Sequence, residues 1–243
     1  VAIKVLHSGI ATNQAVVDRF EREAQAAGRI GSEHIVEVYD LGDMADGARY
    51  MVMEYLDGES LSQRVTSVGR MDPLALGSVM LQLLEGLGAA HKAGIIHRDL
   101  KPDNVFLMKA KNGSDFVKIV DFGVSKFNAL SGDSQMSMTR TGAVIGTPYY
   151  MSPEQARGAK ETDHRSDLYS AGVVMFECLT GQVPFLADTF NELMFKIVLE
   201  PPPDPEKLVP GLDPAFAAII KKGMAREPAA RYQTAAEFSQ AIA

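Results

Sequence analysis

Residues 97–104 of this 243-residue chain read HRDLKPDN. It gathers acids, bases and an amide into a turn between a helical stretch and the short strand-like run Val105–Leu107. Loops carried by a rigid scaffold are where catalytic groups concentrate. The pattern therefore predicts a loop that carries catalytic groups.

A second polar segment follows downstream, where the predicted strand Lys118–Val120 leads into Asp121. A carboxylate at a strand end, close to a flexible glycine, is well placed for a divalent cation. Asn104 and Asp121 together offer the hard oxygen ligands that Mg²⁺ prefers. Lys4, on a strand at the start of the chain, would supply a point charge for a phosphate group.

The first sixty residues predict a small sheet with one helix. Val1–Leu6 is typical of a strand, and the stretch from about Asn13 to Ile30 carries an apolar stripe at helical spacing. Two further strands, Ile35–Tyr39 and Tyr50–Met53, flank the turn signal Asp46-Gly47. The members of the helical stripe are Val16, Phe20, Ala24 and Ala27.

The chain after Gly58 predicts mainly helix. One helix opens at Asp72-Pro73 and ends at Gly94, because aspartate caps a helix start and glycine favours its end. Further helices are predicted at about Asp163 to Leu179, after Asp213-Pro214, and from Thr234, where Glu237 would complete a capping box. A small sheet followed by a large helical part is a two-lobed α+β plan.

The composition excludes several classes of protein. Hydrophobic residues make up 46% and charged residues 23%, and the net charge is −7, which disfavours nucleic acid or an anionic membrane as the partner. The single cysteine, Cys178, excludes an internal disulfide and fits a reducing, cytoplasmic setting. No contact with a membrane is expected from this segment, so an anchor, if the full protein has one, would lie outside it.

Four segments, in this order and at this spacing, resemble the signature motifs of the protein kinase family. They are VAIK at residues 1–4, HRDLKPDN at 97–104, DFG at 121–123 and SPE at 152–154, where the family usually has Ala-Pro-Glu. The resemblance covers nearly the whole chain. It implies a two-lobed kinase fold in one catalytic domain, residues 1–243, with a partial small lobe and hinge in 1–56 and a large lobe in 57–243.

The resemblance assigns roles to the catalytic residues, with ATP and Mg²⁺ (Mn²⁺ as the alternative) as cofactors. Lys4 would hold the α- and β-phosphates, paired with Glu23 or, less favoured, Glu21. Asp99 would accept the proton of the substrate hydroxyl, and Lys101 would stabilise charge on the transferred group. The metal ligands would be Asn104 and Asp121.

The resemblance also implies a binding site for adenine. Ala2 and Phe106 would enclose the base from two sides. Glu54 and Leu56 would offer backbone hydrogen bonds at the hinge, and Met53 stands just before it.

Other residues match positions with structural or regulatory roles in the family. Asp167 would hold the catalytic loop, Glu154 and Arg231 would form a buried ion pair, and Thr147 would brace the loop. Arg98, next to Asp99, marks kinases that are activated by phosphorylation. The hypothesis is that a phosphate on one of two threonines pairs with Arg98 and with a second cation; these residues are Thr139, Thr141 and Lys126.

Lys101 and the segment GTPYY, residues 146–150, favour serine and threonine over tyrosine as acceptors. The sequences of residues 167–172 and 139–141 most resemble those of bacterial, eukaryotic-like serine/threonine kinases. Expected partners are protein substrates and the chain itself by autophosphorylation, and a dimer is expected by analogy alone. The glycine-rich loop that precedes the lysine strand in the family is not in this sequence.

Two alternative functions remain open at this point. A pseudokinase or scaffold module would bind without transferring phosphate, but the presence of Lys4, Asp99, Asn104 and Asp121 disfavours it. A small-molecule kinase is disfavoured by the complete protein-acceptor segment, residues 137–154.

Overall fold

The computed structural model describes residues 1–7, 9, 13–122, 148–159 and 162–243. Its first sheet has three antiparallel strands in the order β1-β3-β2: β1 is Ala2–Leu6, β2 is Val38–Asp43 and β3 is Arg49–Met53. Helix α1, Gln14–Arg29, packs on this sheet through a small apolar cluster of Phe20, Ala24 and Met51. Phe20 and Ala24 are one helical turn apart, so the amphipathic pattern of the sequence gives this packing directly.

The second strand lies further along the chain than the sequence predicts. The predicted strand was Ile35–Tyr39, whereas β2 begins only at Val38. Ile35 and Val36 instead lie beside the end of a later strand, β6 (Asp115–Ile119), where Val36 N donates to Ile119 O at 3.0 Å. Both side chains are buried, so their apolar character reflects burial rather than membership of the hairpin.

A second sheet of three antiparallel strands follows, in the order β4-β5-β6. Its strands are β4 Gly58–Ser60, β5 Val105–Lys109 and β6 Asp115–Ile119. A Cβ atom on Gly58 would lie 2.1 Å from the carbonyl oxygen of Leu107, so only glycine lets the backbones of β4 and β5 approach this closely. This close pairing brings the segment after β3 alongside Phe106, since Ser60 pairs with Phe106.

The remaining described residues are mostly helical. The helices are α2 Leu61–Val68, α3 Pro73–Lys92, α4 Pro153–Ala156, α5 Arg165–Thr180, α6 Phe190–Leu199, α7 Pro205–Leu208, α8 Pro214–Gly223 and α9 Ala235–Ile242. α3 and α5 form the centre of the large apolar core, and fourteen residues of α5 are buried. By length and composition α3 could cross a bilayer, but half of its apolar stretch is buried in the protein, so core packing accounts for its composition.

Local side-chain bonds set where these helices begin. Asp72 caps α3 by accepting from Leu74 N and Ala75 N, with Pro73 in the first turn, as the sequence predicts. At α9, Thr234 accepts from Glu237 N, but the Glu237 carboxylate accepts from Gln233 N rather than from Thr234 N. The predicted capping box therefore forms only in part, because the Glu237 carboxylate bonds to the residue before the N-cap.

Candidate active site

Asp167, in the first turn of α5, holds the backbone of the loop that carries Asp99. The Asp167 carboxylate accepts from the backbone N–H groups of His97 and Arg98, each at 2.8 Å, and contacts His91 Nε2 at 2.8 Å. Burial opposes the charge of this carboxylate, but these hydrogen bonds and the nearby histidines hold the pKa of Asp167 below its ordinary value. A charged Asp167 thus fixes the loop backbone.

The catalytic loop and the segment at Asp121 contain residues with unusual backbone conformations. In the described part of the chain, the non-glycine residues with positive φ are Arg98, at 64°, and Asp121, at 56°. Residues other than glycine adopt this region at an energetic cost, and such strain clusters at functional sites. Gln155 Nε2 donates to Arg98 O at 3.3 Å and helps to hold the loop.

His97 lies beneath the loop and is fully buried. Its Nε2 lies 3.1 Å from Val120 O, and its ring packs 4.8 Å from the ring of Phe122. Burial lowers the pKa of His97, which favours the neutral imidazole. Its contacts are those of a packing residue that links the loop to the chain ahead of Asp121.

Three predicted catalytic side chains lie together in the loop. Asn104 Nδ2 donates to Asp99 O at 2.8 Å and to Asp99 Oδ2 at 3.3 Å. Lys101 Nζ lies 3.7 Å from Asp99 Oδ2, and the side chains of Lys101 and Asp99 are 18% and 20% exposed. The amide nitrogen of Asn104 is committed to Asp99, so its amide oxygen is the atom that would face a cation.

Lys4 joins parts of the molecule that are distant in sequence. Its Nζ lies 2.6 Å from Glu23 Oε1, on α1, and 2.8 Å from Asp121 Oδ1, beyond β6. Of the two glutamates weighed from the sequence, Glu23 therefore contacts Lys4, while Glu21 pairs with Arg49. The residue preferred from the sequence is the one that the structure brings to the lysine.

Lys4, Glu23 and Asp121 shift one another's pKa values, because their charged groups lie close together. Burial raises the pKa of Glu23 to about 7, and the nearby Asp121 carboxylate adds to this, against the opposing effect of Lys4. Burial also disfavours the charge of Asp121, but Lys4 outweighs it and lowers the pKa of Asp121. Lys4 itself has a raised pKa, because its two carboxylate neighbours outweigh its burial. The lysine and Asp121 are therefore charged at neutral pH, and Glu23 is the member that titrates there.

The residues predicted to surround adenine come from two sheets. Ala2 pairs with Met53 between β1 and β3, and Phe106 lies on β5, opposite Lys118 on β6. Glu54 N donates to Glu37 O at 3.0 Å, so the Glu54 carbonyl and the Leu56 backbone would be the groups offered to a base.

An ion pair missed in the sequence analysis supports the Glu54 side chain. Lys118 Nζ lies 2.6 Å from Glu54 Oε1, and these side chains are 12% and 16% exposed. The same carboxylate oxygen accepts from Glu37 N at 2.8 Å. The contact joins residues 64 positions apart, and no local sequence pattern marks it.

The predicted ion pair between Glu154 and Arg231 is present, and two hydrogen bonds join the side chains. Arg231 Nη1 donates to Glu154 Oε1 at 2.8 Å and Nη2 to Oε2 at 2.7 Å. The side chain of Arg231 is 0% exposed and that of Glu154 is 16% exposed. This two-pronged geometry is the favourable one for arginine and a carboxylate.

Some predicted residues lie outside the described part of the chain. They are Lys126, Thr139, Thr141 and Thr147. For these residues the roles given above stay predictions.

The side chains predicted to bind a metal fit the expected cation. The Asn104 amide oxygen and the Asp121 carboxylate, 48% exposed at its side chain, are both hard ligands, and hard ligands fit Mg²⁺ or Mn²⁺. No cluster of three or more histidine, cysteine or acidic residues with metal-binding geometry is found among the described residues. A cation here would therefore need further oxygens from its nucleotide and from water, as Mg²⁺ in phosphate-transfer sites commonly has.

Known proteins similar to this chain agree on one family. The family described as "Protein kinase domain" matches residues 1–241. Serine/threonine-protein kinase Pkn1 of Myxococcus xanthus is 40% identical over 245 residues, 100% of this chain and 34% of the relative. Serine/threonine-protein kinase PknB of Mycobacterium tuberculosis is 42% identical over 241 residues, 98% of this chain and 37% of the relative. The chain thus spans about a third of the length of these relatives.

A solved structure gives the same result for the fold. The crystal structure of the Mycobacterium tuberculosis PknI kinase domain superimposes with a TM-score of 0.73 at 26% identity, covering 99% of this chain and 83% of that one. The predicted α+β, protein-kinase-like fold and the resemblance to bacterial serine/threonine kinases are both confirmed. The chain belongs to the protein kinase domain family.

Proposed function

We propose that this chain is the catalytic domain of an ATP-dependent serine/threonine protein kinase, which acts on proteins in the cytoplasm and on itself. The observation that carries the proposal is the Lys4 contact with both Glu23 and Asp121, at 2.6 and 2.8 Å. It links β1, α1 and the end of β6 at one point, beside the Asp99 loop. Phosphoryl transfer needs this kind of arrangement, because it depends mainly on positioning and on charge stabilisation.

Each residue has a defined part in the proposed reaction. Asp99 accepts the proton of the serine or threonine hydroxyl as the oxygen forms its bond to the γ-phosphorus and the bond from phosphorus to the β-phosphate oxygen breaks. Lys101 offsets the charge of the transferred group, and Lys4 binds the α- and β-phosphates. Asn104 and Asp121 would hold the metal, which supplies positive charge to the phosphates. Ala2, Met53 and Phe106 would enclose adenine, with Glu54 and Leu56 at its edge.

Activation by phosphorylation is part of the proposal. Arg98 lines a cleft of about 270 Å³ between α1 and residues 94–98, together with Arg22 and Arg29. Its buried Nε atom has no hydrogen-bond partner among the described residues. A site with three guanidinium groups and an unsatisfied donor favours an anion, and a phosphate on Thr139 or Thr141 would supply one. Lys126 would be a further cation for the same phosphate.

Phosphosite mapping by mass spectrometry tests the function directly. The full-length protein, incubated with Mg²⁺ and ATP, is expected to carry phosphate on Thr139 or Thr141, and the Asp99→Asn variant is expected to carry none. Alanine at both threonines should slow phosphorylation of a basic peptide and remove the lag that precedes full activity. If wild type modifies neither itself nor the peptide, the scaffold or pseudokinase function replaces this one.

The charge state of Glu23 predicts a pH dependence. A deprotonated Glu23 orients Lys4, and its pKa is raised to about 7, so kcat/KM for ATP is expected to increase as the pH rises through about 7. Glu23→Gln should lower kcat/KM and remove this part of the rise. The ionisation of ATP itself is common to both proteins and cancels in the comparison.

Glu33→Gln serves as the matched control for this profile, because Glu33 is exposed and lies beyond α1. Its pH profile should match that of wild type. An unchanged inflection in Glu23→Gln would assign the titration to another group.

A further inference from the structure

Arg49, the first residue of β3, joins two strands of the first sheet and the helix that packs on it. Its guanidinium forms an ion pair with Glu21 on α1 through Nη1, and its Nε lies 3.1 Å from Asp43 Oδ1 at the end of β2. The side chains of Arg49 and Glu21 are 30% and 31% exposed, so the pair is partly shielded from water. None of these three residues belongs to the charged group formed by Lys4, Glu23 and Asp121.

The apolar contact between α1 and the sheet is small. Its buried members are Phe20, Ala24 and Met51, with four partly buried neighbours. Ala26 and Ala27 add contacts to the large core, but through the small side chains of alanine. The apolar contacts of α1 therefore resist a rotation about the helix axis only weakly, since apolar attraction scales with area and has no direction. Its orientation therefore depends on directional contacts at its sides.

Glu21 and Glu23 lie on opposite sides of this apolar stripe. At 3.6 residues per turn, each glutamate points about 80° away from the middle of the line from Phe20 to Ala24, in opposite directions. Arg49 holds the helix on one side and Lys4 holds it on the other. A roll that breaks the contact with Arg49 turns Glu23 relative to Lys4.

We propose that Arg49 is a positioning residue for phosphoryl transfer, which sets the rotation of α1 through Glu21 and so holds Glu23 against Lys4. The proposal rests on the kinase function proposed above. It gives Glu21 a role distinct from that of Glu23 and makes the ion pair on the far side of the helix part of the control of activity. A partly exposed pair shifts such an equilibrium by up to about fivefold.

The decisive experiment is a double-mutant cycle in the full-length protein, with kcat/KM for ATP as the readout. Arg49→Met is expected to lower kcat/KM about three- to fivefold. In a Glu23→Gln background, where the Lys4 pair is already lost, Arg49→Met should have almost no further effect. An equal loss in both backgrounds would mean that Arg49 only supports the fold, and the proposal would then be wrong.

A charge exchange provides the second arm. Glu21→Arg combined with Arg49→Glu re-forms the pair with its charges exchanged. Because Asp43 contacts residue 49, the exchange is made together with Asp43→Asn, so that the new glutamate faces no second carboxylate, and most of the lost activity should return. Failure of the exchange to raise kcat/KM above that of Arg49→Met would count against the proposal.

Lys109→Met is the matched control, since it removes an ion pair of a more exposed cation, to Asp115 on β6, and both of these residues belong to the second sheet. It should keep the activity and thermal midpoint of wild type. If Arg49→Met behaves like Lys109→Met while wild type is active, only this inference fails. If wild type neither binds ATP nor transfers phosphate, the proposed function fails as well, and the two results are easily told apart.

Discussion

Asp99→Asn is expected to lower kcat for phosphate transfer by about 10²- to 10⁴-fold, which is the usual contribution of a positioned acid or base. Asparagine keeps the size of the side chain and can still accept from Asn104 Nδ2, which lies 3.3 Å from Asp99 Oδ2. It cannot take up the proton of the substrate hydroxyl. Because Asp99 is not among the residues proposed to bind ATP, KM for ATP should stay close to that of wild type.

Radiolabelled transfer to a basic peptide at saturating ATP measures this loss. Asp40→Asn is the matched control, because Asp40 is exposed on β2 and far from the loop in sequence. It should retain full activity. A variant at Asp99 that keeps more than about a tenth of kcat would remove this residue from the role of base, since the loss would fall below the range for general base catalysis.

The residues that define the site were largely predictable from the sequence, because they lie in short segments of fixed spacing. The loop at 97–104 and Asp121 could be identified together with the elements that carry them. The choice of Glu23 over Glu21 as the partner of Lys4 followed from the resemblance to the family, through its spacing from Lys4 and its sequence context at residues 22–24. The structure places these groups together through β1, α1 and β6.

The supporting contacts were not predictable, for a physical reason. Arg49 with Glu21 and Lys118 with Glu54 join residues 28 and 64 positions apart, and charged residues on a surface look alike in a sequence. Hydrophobic periodicity reports which face is buried but not which charges meet across it. The later start of β2 was not predictable for the same reason. Ile35 and Val36 are apolar because they are buried against β6, and their sequence does not show which element covers them.

Arg231→Met is expected to have the largest effect on stability, lowering the free energy of unfolding by about 3–5 kcal/mol. The guanidinium of Arg231 donates to both oxygens of Glu154 and to the carbonyls of Ala225, Arg165 and Arg226. Methionine fills similar space but removes the guanidinium donors from three carbonyls and from the Glu154 carboxylate, which keeps the hydroxyl of Ser166 at 2.7 Å. Removing one partner of a buried pair leaves an uncompensated charge, which costs more than the pair itself contributes.

Urea unfolding, followed by the shift in midpoint at constant slope, measures this change. Arg165→Met is the matched control: the ion pair between Arg165 and Asp163 is exposed, with side chains 28% and 48% accessible, so its loss should cost below about 1 kcal/mol. If Arg231→Met does not fold, Arg231→Lys gives the same test, because lysine keeps the charge and loses the two-pronged geometry.

The pH dependence separates the ion pair from simple packing. Burial opposes the charge of Glu154, but Arg231 outweighs it and holds the pKa of Glu154 below its ordinary value. A lowered folded-state pKa contributes stability that is present above the unfolded pKa and is lost as the pH falls through the folded one. Without the guanidinium, burial alone would raise the pKa of Glu154, and its contribution to stability would change sign. The difference in unfolding free energy between wild type and Arg231→Met should therefore narrow between pH 7 and acid pH. A difference that stays constant over this range would show that Arg231 acts through packing and its carbonyl bonds, and that the charge of Glu154 contributes little.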